Sequence, residues 1–532
     1  MSEWLAGPGF RVYPDKVNIT DRVVDRHVGA GRGDNVAVLW DGGGWTYAEL
    51  QAEIGRVTAG YAAIGLAAGD KLIVRSRNIP EAIAAVLAGF RYGAVPVWAN
   101  TLLKEEEVAY IVDNSEARFA ITMSELAGPL RNLRADGKLD QIVILDGPAE
   151  GEGEHAYANL RAGGGAKVIA DTEAMDPAFM LYSSGTTGRP KGILHAHRWI
   201  ITVGDPCLVQ TEYTEDDRIL TPGEFSFMGT FAHAFLFPLY RGASIALFSQ
   251  RATPEAAFAA VNEFQATVLM SVPTLYRAAL ADASLRERFD ISRLRYALST
   301  GEFLGGTVYE QWLAAYGMPI YEVYGVSELE VFVGNGPAFD VKPGSIGKGL
   351  LGIKIALLDE SLNEVPDGEE GVMMIHRSDP GLFLGYYRDP ERWVLQHRGE
   401  WYDTGDVMRR DEDGYYWFLG RNDDLFKSRG YLLSPQEIEN ALLRHPAVAE
   451  VAVIGIPDEI MGNLVAAYVV PTADAETGDA LADEIMETAR SLIAPYKVPK
   501  TVTFRDALPK NPVGKIVRRT LKDEVRAASL SS

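Results

Sequence analysis

The sequence predicts an α/β protein: a large N-terminal body of doubly wound sheets plus a small antiparallel barrel, with a small C-terminal α+β domain. Three observations predict it. From Lys71 to Ser299, short apolar runs of strand type alternate with helical stretches, the pattern of a mostly parallel sheet wrapped by helices. Between Ile346 and His376 the segments shorten and are split by the turn-forming Asp367-Gly368-Glu369-Glu370, which reads as antiparallel structure. After the charged break Gly420-Arg421-Asn422-Asp423-Asp424 comes a compact run of strands and helices, sized for one small domain. The boundary falls at 421, giving domains 1–420 and 421–532.

Taken in order, Lys71-Leu72-Ile73-Val74 reads as a buried strand and Pro80 to Phe90 as an Ala-rich helix with proline in its first turn. Gly93 to Trp98 is a strand, Glu105 to Val112 a helix, and Phe119–Thr122 and Gln141–Leu145 are strands. Gly147 to Gly165, rich in glycine and polar residues, reads as a surface loop. Ala178 to Tyr182 is a strand, and His195 to Val203 reads as helix. Strands Gly242–Phe248, Val268–Val272 and Tyr296–Ser299 follow, with a helix over Pro254–Phe264. Lys354–Leu358 and Gly371–Ile375 are the antiparallel segments. The small domain carries helices at Pro435–Leu443 and Asp483–Leu492 and strands at Val448–Ile456, Leu464–Val470 and Thr501–Phe504.

At 532 residues the chain exceeds one hydrophobic core, and an apolar fraction of 47% is that of a globular protein. There are 51 Lys and Arg against 73 Asp and Glu, a net charge of −22 spread without an acidic tail. That balance argues against sequence-independent nucleic-acid binding, which needs a basic face. Cys207, the single cysteine, rules out an internal disulfide and a Cys-rich metal site and fits a reducing compartment. Met1-Ser2-Glu3-Trp4 has neither the basic nor the apolar region of a secretory signal. Apolar runs such as Ala82–Leu87 break at Arg91, short of a membrane span. A soluble, cytoplasmic protein is the expectation. A homodimer is the expected assembly, with no sequence signature of its own.

Tyr182 to Gly192 reads YSSGTTGRPKG. Ser183, Ser184, Thr186 and Thr187 are interleaved with Gly185, Gly188 and Gly192, and Arg189 and Lys191 flank Pro190. So little apolar side chain makes a loop, here at the end of a buried strand, where α/β sheets bind ligands. Glycines let backbone amides approach an anion, hydroxyls donate to phosphate oxygens, and lysine adds a point charge. The common P-loop pattern is absent: Gly-Lys at 137–138, 347–348 and 514–515 lacks both the preceding glycine and the following Ser or Thr. Instead the run resembles the phosphate-binding signature of the acyl-adenylate-forming superfamily, which includes acyl-CoA synthetases, amino-acid adenylation domains and firefly-type luciferases.

Further stretches match that superfamily in order and spacing. Tyr324-Gly325-Val326-Ser327-Glu328 resembles its second motif, with Ser327 where Thr is commoner. The resemblance implies that Glu328 ligates Mg2+ with Thr187 as hydroxyl partner, and that the backbone beside it lines the adenylate and acyl pockets. Ser299-Thr300-Gly301-Glu302 resembles the segment beside adenine, where Tyr321 and Tyr324 stand at stacking positions. Tyr402-Asp403-Thr404-Gly405-Asp406 resembles the ribose motif, with Asp406 accepting both hydroxyls. Gly420 to Asp424 resembles the hinge, with Arg421 near ribose and Asp423 as the pivot of a mobile small domain. Pro509-Lys510-Asn511-Pro512-Val513-Gly514-Lys515-Ile516 resembles the loop whose lysine, here Lys515, bridges carboxylate and α-phosphate. Lys427-Ser428-Arg429-Gly430-Tyr431 resembles the loop lining the thiol tunnel, although Arg429 replaces a small residue and Leu432 stands where acetyl-type enzymes carry arginine.

The implied activity uses ATP, Mg2+ and coenzyme A. A carboxylate is a poor acyl donor because oxide would have to leave; conversion to an acyl-AMP anhydride with loss of pyrophosphate lets a thiol displace AMP. Anions meet in the first step, so a cation at the reacting centre is required. By family position the acid sits along Phe225 to Phe235, with Phe227, Phe231, His233, Ala234, Gly325, Val326 and Val331 as its walls; an ordinary packed histidine is the competing reading of His233. This run lacks the aspartate that binds an α-amino group, so amino-acid adenylation is not expected. Aromatic, alicyclic or short branched acids fit best, with a benzoate-type ligase first. The alternatives are a medium- or long-chain fatty acyl-CoA synthetase, a ligase passing the acyl group to a carrier protein, a luciferase-like oxygenase, and a non-catalytic acyl-nucleotide binder. Both Glu328 and Lys515 are present, which argues against the last.

Overall fold

The computed structural model describes residues 10–163, 169–183, 190–422, 424–428, 431–458, 462–510 and 516–530. Two compact units are distinguished, Met1–Ile355 with Ile375–Tyr402, and Ala356–Met374 with Asp403–Ser532.

The first unit is the expected doubly wound body. One of its sheets has a parallel centre, with neighbours in the order Ile320–Val326, Tyr296–Ser299, Val268–Ser271, Arg218–Leu220, Ser244–Ala246 and Val36–Trp40. Antiparallel strands flank it: Gly43–Thr46 pairs with Val36–Trp40, and Glu330–Gly334 pairs with Ile320–Val326. The other sheet, eight-stranded among the described residues, runs Gly385–Tyr386, Lys191–Ala196, Pro177–Ser183, Val95–Trp98, Lys71–Arg75, Phe119–Thr122, Gln141–Ile144, Glu154–Ala156. Helices cover both faces of a parallel sheet, so its strands are unbroken apolar runs; every residue of Val95–Trp98, Phe119–Thr122 and Val268–Ser271 is buried. Helix Pro80–Tyr92 begins on its proline and ends at Gly93, whose φ of 79° closes the last turn. Helix Tyr47–Ala63 starts in a capping box, Thr46 accepting from the Glu49 amide and Glu49 from that of Thr46.

Two local expectations are corrected. His195–Val203 is not one helix: Lys191–Ala196 is a strand, antiparallel to Pro177–Ser183 with Tyr182 opposite Gly192 and Met180 opposite Leu194, and helix is confined to Trp199–Thr202. Burial of Ile193 and His195 against the neighbouring strand overrides their spacing. Gly147–Gly165 is not wholly loop. Glu154–Ala156 extends the sheet beside Gln141–Ile144, and Tyr157–Leu160 forms a helical turn that buries Tyr157 and Leu160. The Tyr157 hydroxyl donates to Glu53 at 2.8 Å, which ties the turn down. Gly164 and Gly165 lie outside the described residues.

Glu370–His376, Trp401–Arg410 and Tyr415–Arg421, which lie mostly in the second unit, are successive neighbours, the last two antiparallel. Val448–Asp458 and Gly462–Pro471 form a long antiparallel pair, with Thr501–Phe504 parallel to the second strand. Ile438, Leu442, Val453, Val469 and Ile485 form the core beneath helices Pro435–Leu442 and Asp479–Leu492. No helix among the described residues is long and apolar enough to cross a membrane.

Candidate active site

Lys191 opens a strand whose partner ends at Ser183, so these two residues hold the ends of the hydroxyl–glycine run; Ser184, Gly185, Thr186, Thr187 and Gly188 themselves lie outside the described residues. The Lys191 ammonium donates to Glu328 Oε1 at 2.6 Å and to the Tyr386 hydroxyl at 3.1 Å, and lies 4.6 Å from the Tyr386 ring centroid. Tyr386 also donates to Glu328 Oε1 at 2.7 Å, and its oxygen lies 2.9 Å from that of Tyr402. Burial alone raises the Glu328 pKa; the Lys191 charge and the two hydrogen bonds outweigh it, and the carboxyl titrates below its ordinary value. The result is an ionised, desolvated carboxylate held against one cation.

Glu328 sits in the turn Ser327–Leu329 between strands Ile320–Val326 and Glu330–Gly334, closed by the Leu329 amide on the Val326 carbonyl at 3.0 Å. A turn follows Tyr324-Gly325-Val326. Gly325 is required by contact: a Cβ there would lie 1.3 Å from the Glu330 carbonyl oxygen. His195 Nε2 donates to the Ser327 carbonyl at 2.8 Å, the Phe383 amide to that of Glu328 at 2.8 Å, and Trp199 Nε1 to that of Leu329 at 2.8 Å. Burial pushes the His195 pKa down to about 4, so the ring is neutral near pH 7 and its Nε2 carries the proton.

Tyr324 is half-buried with its ring 5.6 Å from Phe332, and Tyr321 lies 5.1 Å from Tyr296. Gly301 has φ 86° at the end of the Tyr296–Ser299 strand. The Glu302 carboxylate turns to helix Pro273–Ala281, accepting from Thr274 at 3.0 Å and pairing with Arg277 at 3.2 Å. Of the expected acyl-wall residues, Phe227 and Val326 are half-buried, Phe231, Ala234 and Val331 buried. Phe231 packs 5.0 Å from Phe179 and 6.0 Å from Trp98. His233 is fully enclosed, Nδ1 3.4 Å from Cys207 Sγ and Nε2 3.3 Å from Glu330. Burial pushes the Cys207 thiol well up, so it is no nucleophile.

In the second unit, Asp406 and Arg421 face each other across the Trp401–Arg410 and Tyr415–Arg421 pair, Nη1 3.1 Å from Oδ1. Arg421 also donates to the Thr404 carbonyl at 3.1 Å, and the Asn422 amide to that of Gly405 at 2.8 Å. Lys427 is exposed on the short Phe426–Ser428 strand. Asp423, Arg429, Gly430 and Lys515 lie outside the described residues. Beyond Lys515, Arg518 forks onto Glu439 at 2.8 and 2.6 Å and reaches Asp424 at 3.5 Å, beside the expected pivot.

Sequence reasoning missed His195, Trp199, Phe383 and Tyr386. For His195 and Trp199 the one signal is their spacing with Lys191, which mimics a helical face, and Phe383 and Tyr386 carry none.

The AMP-binding enzyme family matches residues 25–387, and the AMP-binding enzyme C-terminal domain residues 437–515. Benzoate–CoA ligase of Thauera aromatica is 34% identical over 520 residues, which cover 96% of each chain. The uncharacterized acyl–CoA ligase YtcI of Bacillus subtilis (strain 168) is 34% identical over 499 residues, 92% of this chain and 93% of that one. Among solved structures, the anthranilate CoA ligase AuaEII in complex with anthranoyl-AMP aligns with a TM-score of 0.90 at 29% identity, covering 97% of this chain and 99% of that one.

Proposed function

The chain belongs to the AMP-binding enzyme family, and on that premise we propose that it is an AMP-forming carboxylate–CoA ligase acting on an aromatic, benzoate-like acid. What supports the aromatic acid is the whole-length likeness to benzoate–CoA ligase, joined to a phenylalanine-rich run at the expected acyl wall. The site observation that carries the chemistry is the buried, ionised Glu328 held by Lys191 and Tyr386 at the base of the hydroxyl–glycine run.

An acid oxygen bonds to the α-phosphorus of ATP and the α–β bridge breaks, releasing pyrophosphate. The CoA sulfur then bonds to the acyl carbon, the thiol proton is lost, and AMP leaves. A single buried carboxylate with a neighbouring serine hydroxyl suits a hard dication whose other ligands are phosphate oxygens, and Glu328 and Thr187 are the proposed holders of Mg2+. Bound there, the ion would offset charge on the polyphosphate. Lys191 and the Ser183–Gly188 run hold phosphate; Gly301, Glu302, Tyr324, Gly325 and Ser327 border the nucleotide; Asp406 and Arg421 hold ribose. Lys515 bridges the two reacting anions in the first step, and Lys427 with Arg429 and Gly430 serves CoA in the second. The division at 421, with Asp423 as pivot, is the proposed functional one. Phe227, Phe231, Val326 and Val331 with Ala234 are the proposed acyl walls, and His233 backs them.

The test is a panel of carboxylates with ATP, Mg2+ and CoA, scored by AMP release. Benzoate and its amino or hydroxy derivatives are expected to lead; preference for long-chain acids would overturn the aromatic assignment, and a carrier protein replacing CoA would overturn the thiol.

A further inference from the structure

Glu328 works only if its carboxylate is aimed, and the turn that carries it runs directly into a strained residue. Glu330, directly after the turn, has φ 108°, a left-handed value for a residue with a side chain. Such a turn keeps its shape when its surroundings over-determine it. Here each of three successive carbonyls has an outside donor: His195 for Ser327, the Phe383 amide for Glu328, Trp199 for Leu329. Two of these donors, together with Lys191 on the Glu328 carboxylate, come from the one segment Lys191–Trp199.

His195 is the donor with least freedom. Its ring is fully buried and stacked on Phe179 at 4.8 Å and 17°, with Trp199 edge-on at 5.8 Å. Among the described residues Nδ1 is buried without a hydrogen-bond partner, so the ring's one hydrogen bond there is to the Ser327 carbonyl. A buried nitrogen left unsatisfied is a cost the fold accepts for the sake of the other nitrogen. We propose that His195 is a positioning residue for nucleotide activation: its single hydrogen bond to the Ser327 carbonyl fixes the turn that aims Glu328 at the cation of the bound nucleotide. This rests on the proposed ligase reading only for the role of Glu328.

The test compares His195→Met, which keeps the packing and removes the donor, with His195→Gln, whose amide nitrogen reaches the Nε2 position, and His195→Asn, whose shorter side chain does not. Binding of ATP to the full chain is measured by calorimetry with and without Mg2+, with no acid present. The second step is assayed separately from synthetic benzoyl-AMP and CoA. The expected result is Mg2+-dependent ATP affinity weakened about tenfold or more in Met and Asn, restored to within about threefold in Gln, with the step from benzoyl-AMP changed less than about threefold. Unchanged Mg2+-dependent affinity in Met and Asn would overturn the proposal. So would equal loss in all three variants and in both assays, the mark of a packing role. If Met does not fold, the Gln and Asn pair decides alone. Failure of the wild type to form any acyl-AMP would instead count against the ligase reading and leave the binding comparison standing.

Discussion

At the scale of single residues, the paired charge of Lys191 and Glu328 sets the clearest pH prediction. Glu328 titrates below its ordinary value while paired. The pair therefore stabilises the fold above the unfolded carboxyl range, and that stabilisation is lost as pH falls through the lowered folded value. In Lys191→Met, the largest cause that lowers the Glu328 pKa is removed, and that pKa rises. The acid-unfolding midpoint, followed by circular dichroism, should then move to higher pH; an unmoved midpoint would show that the pair carries no such linkage. Gly325→Ala is the steric counterpart. Its Cβ would fall 1.3 Å from the Glu330 carbonyl oxygen, so the hairpin must open. A loss of about 3 kcal/mol or more is expected in denaturant unfolding, with adenylation abolished.

At the scale of elements, legibility followed burial. Strands enclosed on both faces, such as Phe119–Thr122 and Tyr296–Ser299, announce themselves as unbroken apolar runs, and the expected spans coincide with the observed ones. Lys191–Ala196 does not, because a histidine and glycine dilute its pattern and its identity as a strand is fixed by pairing with distant residues. Helix Tyr47–Ala63 had a readable start in Thr46 and Glu49 that the strand–helix alternation passed over. In the small unit, the helix Arg518–Leu530 is tied to Pro435–Leu442 by the Arg518–Glu439 fork, with side chains 16% and 4% exposed. Arg518→Met leaves a buried carboxylate unpaired and should cost about 3–5 kcal/mol. The double variant Arg518→Met with Glu439→Leu should recover most of it, since no charge is then stranded; an equal loss in both would contradict this account.

At the scale of the whole molecule, histidine burial sets acid sensitivity. Burial pushes His27, His195 and His197 down to about 3, about 4 and about 3. Each adds stability above the unfolded histidine value near 6.5, and that contribution drains as pH falls toward the folded values. Denaturant midpoints should therefore decline between pH 7 and 5, before most carboxylates protonate; a flat profile would contradict it. Function was legible where chemistry demands a fixed order of small motifs, from Tyr182–Gly192 to Pro509–Ile516, and the family assignment follows the same order. Which particular acid fits was not legible, because the packing of Phe231 against Trp98, Phe179 and Phe235, and of Phe235 against Phe225, is tertiary. The most direct measurement is ATP–pyrophosphate exchange driven by benzoate or a close relative in the absence of CoA. Exchange without CoA, lost by about a hundredfold or more in Lys515→Ala, is the predicted result. No exchange with any acid, or exchange only when CoA is present, would contradict a discrete acyl-AMP and the account built on it.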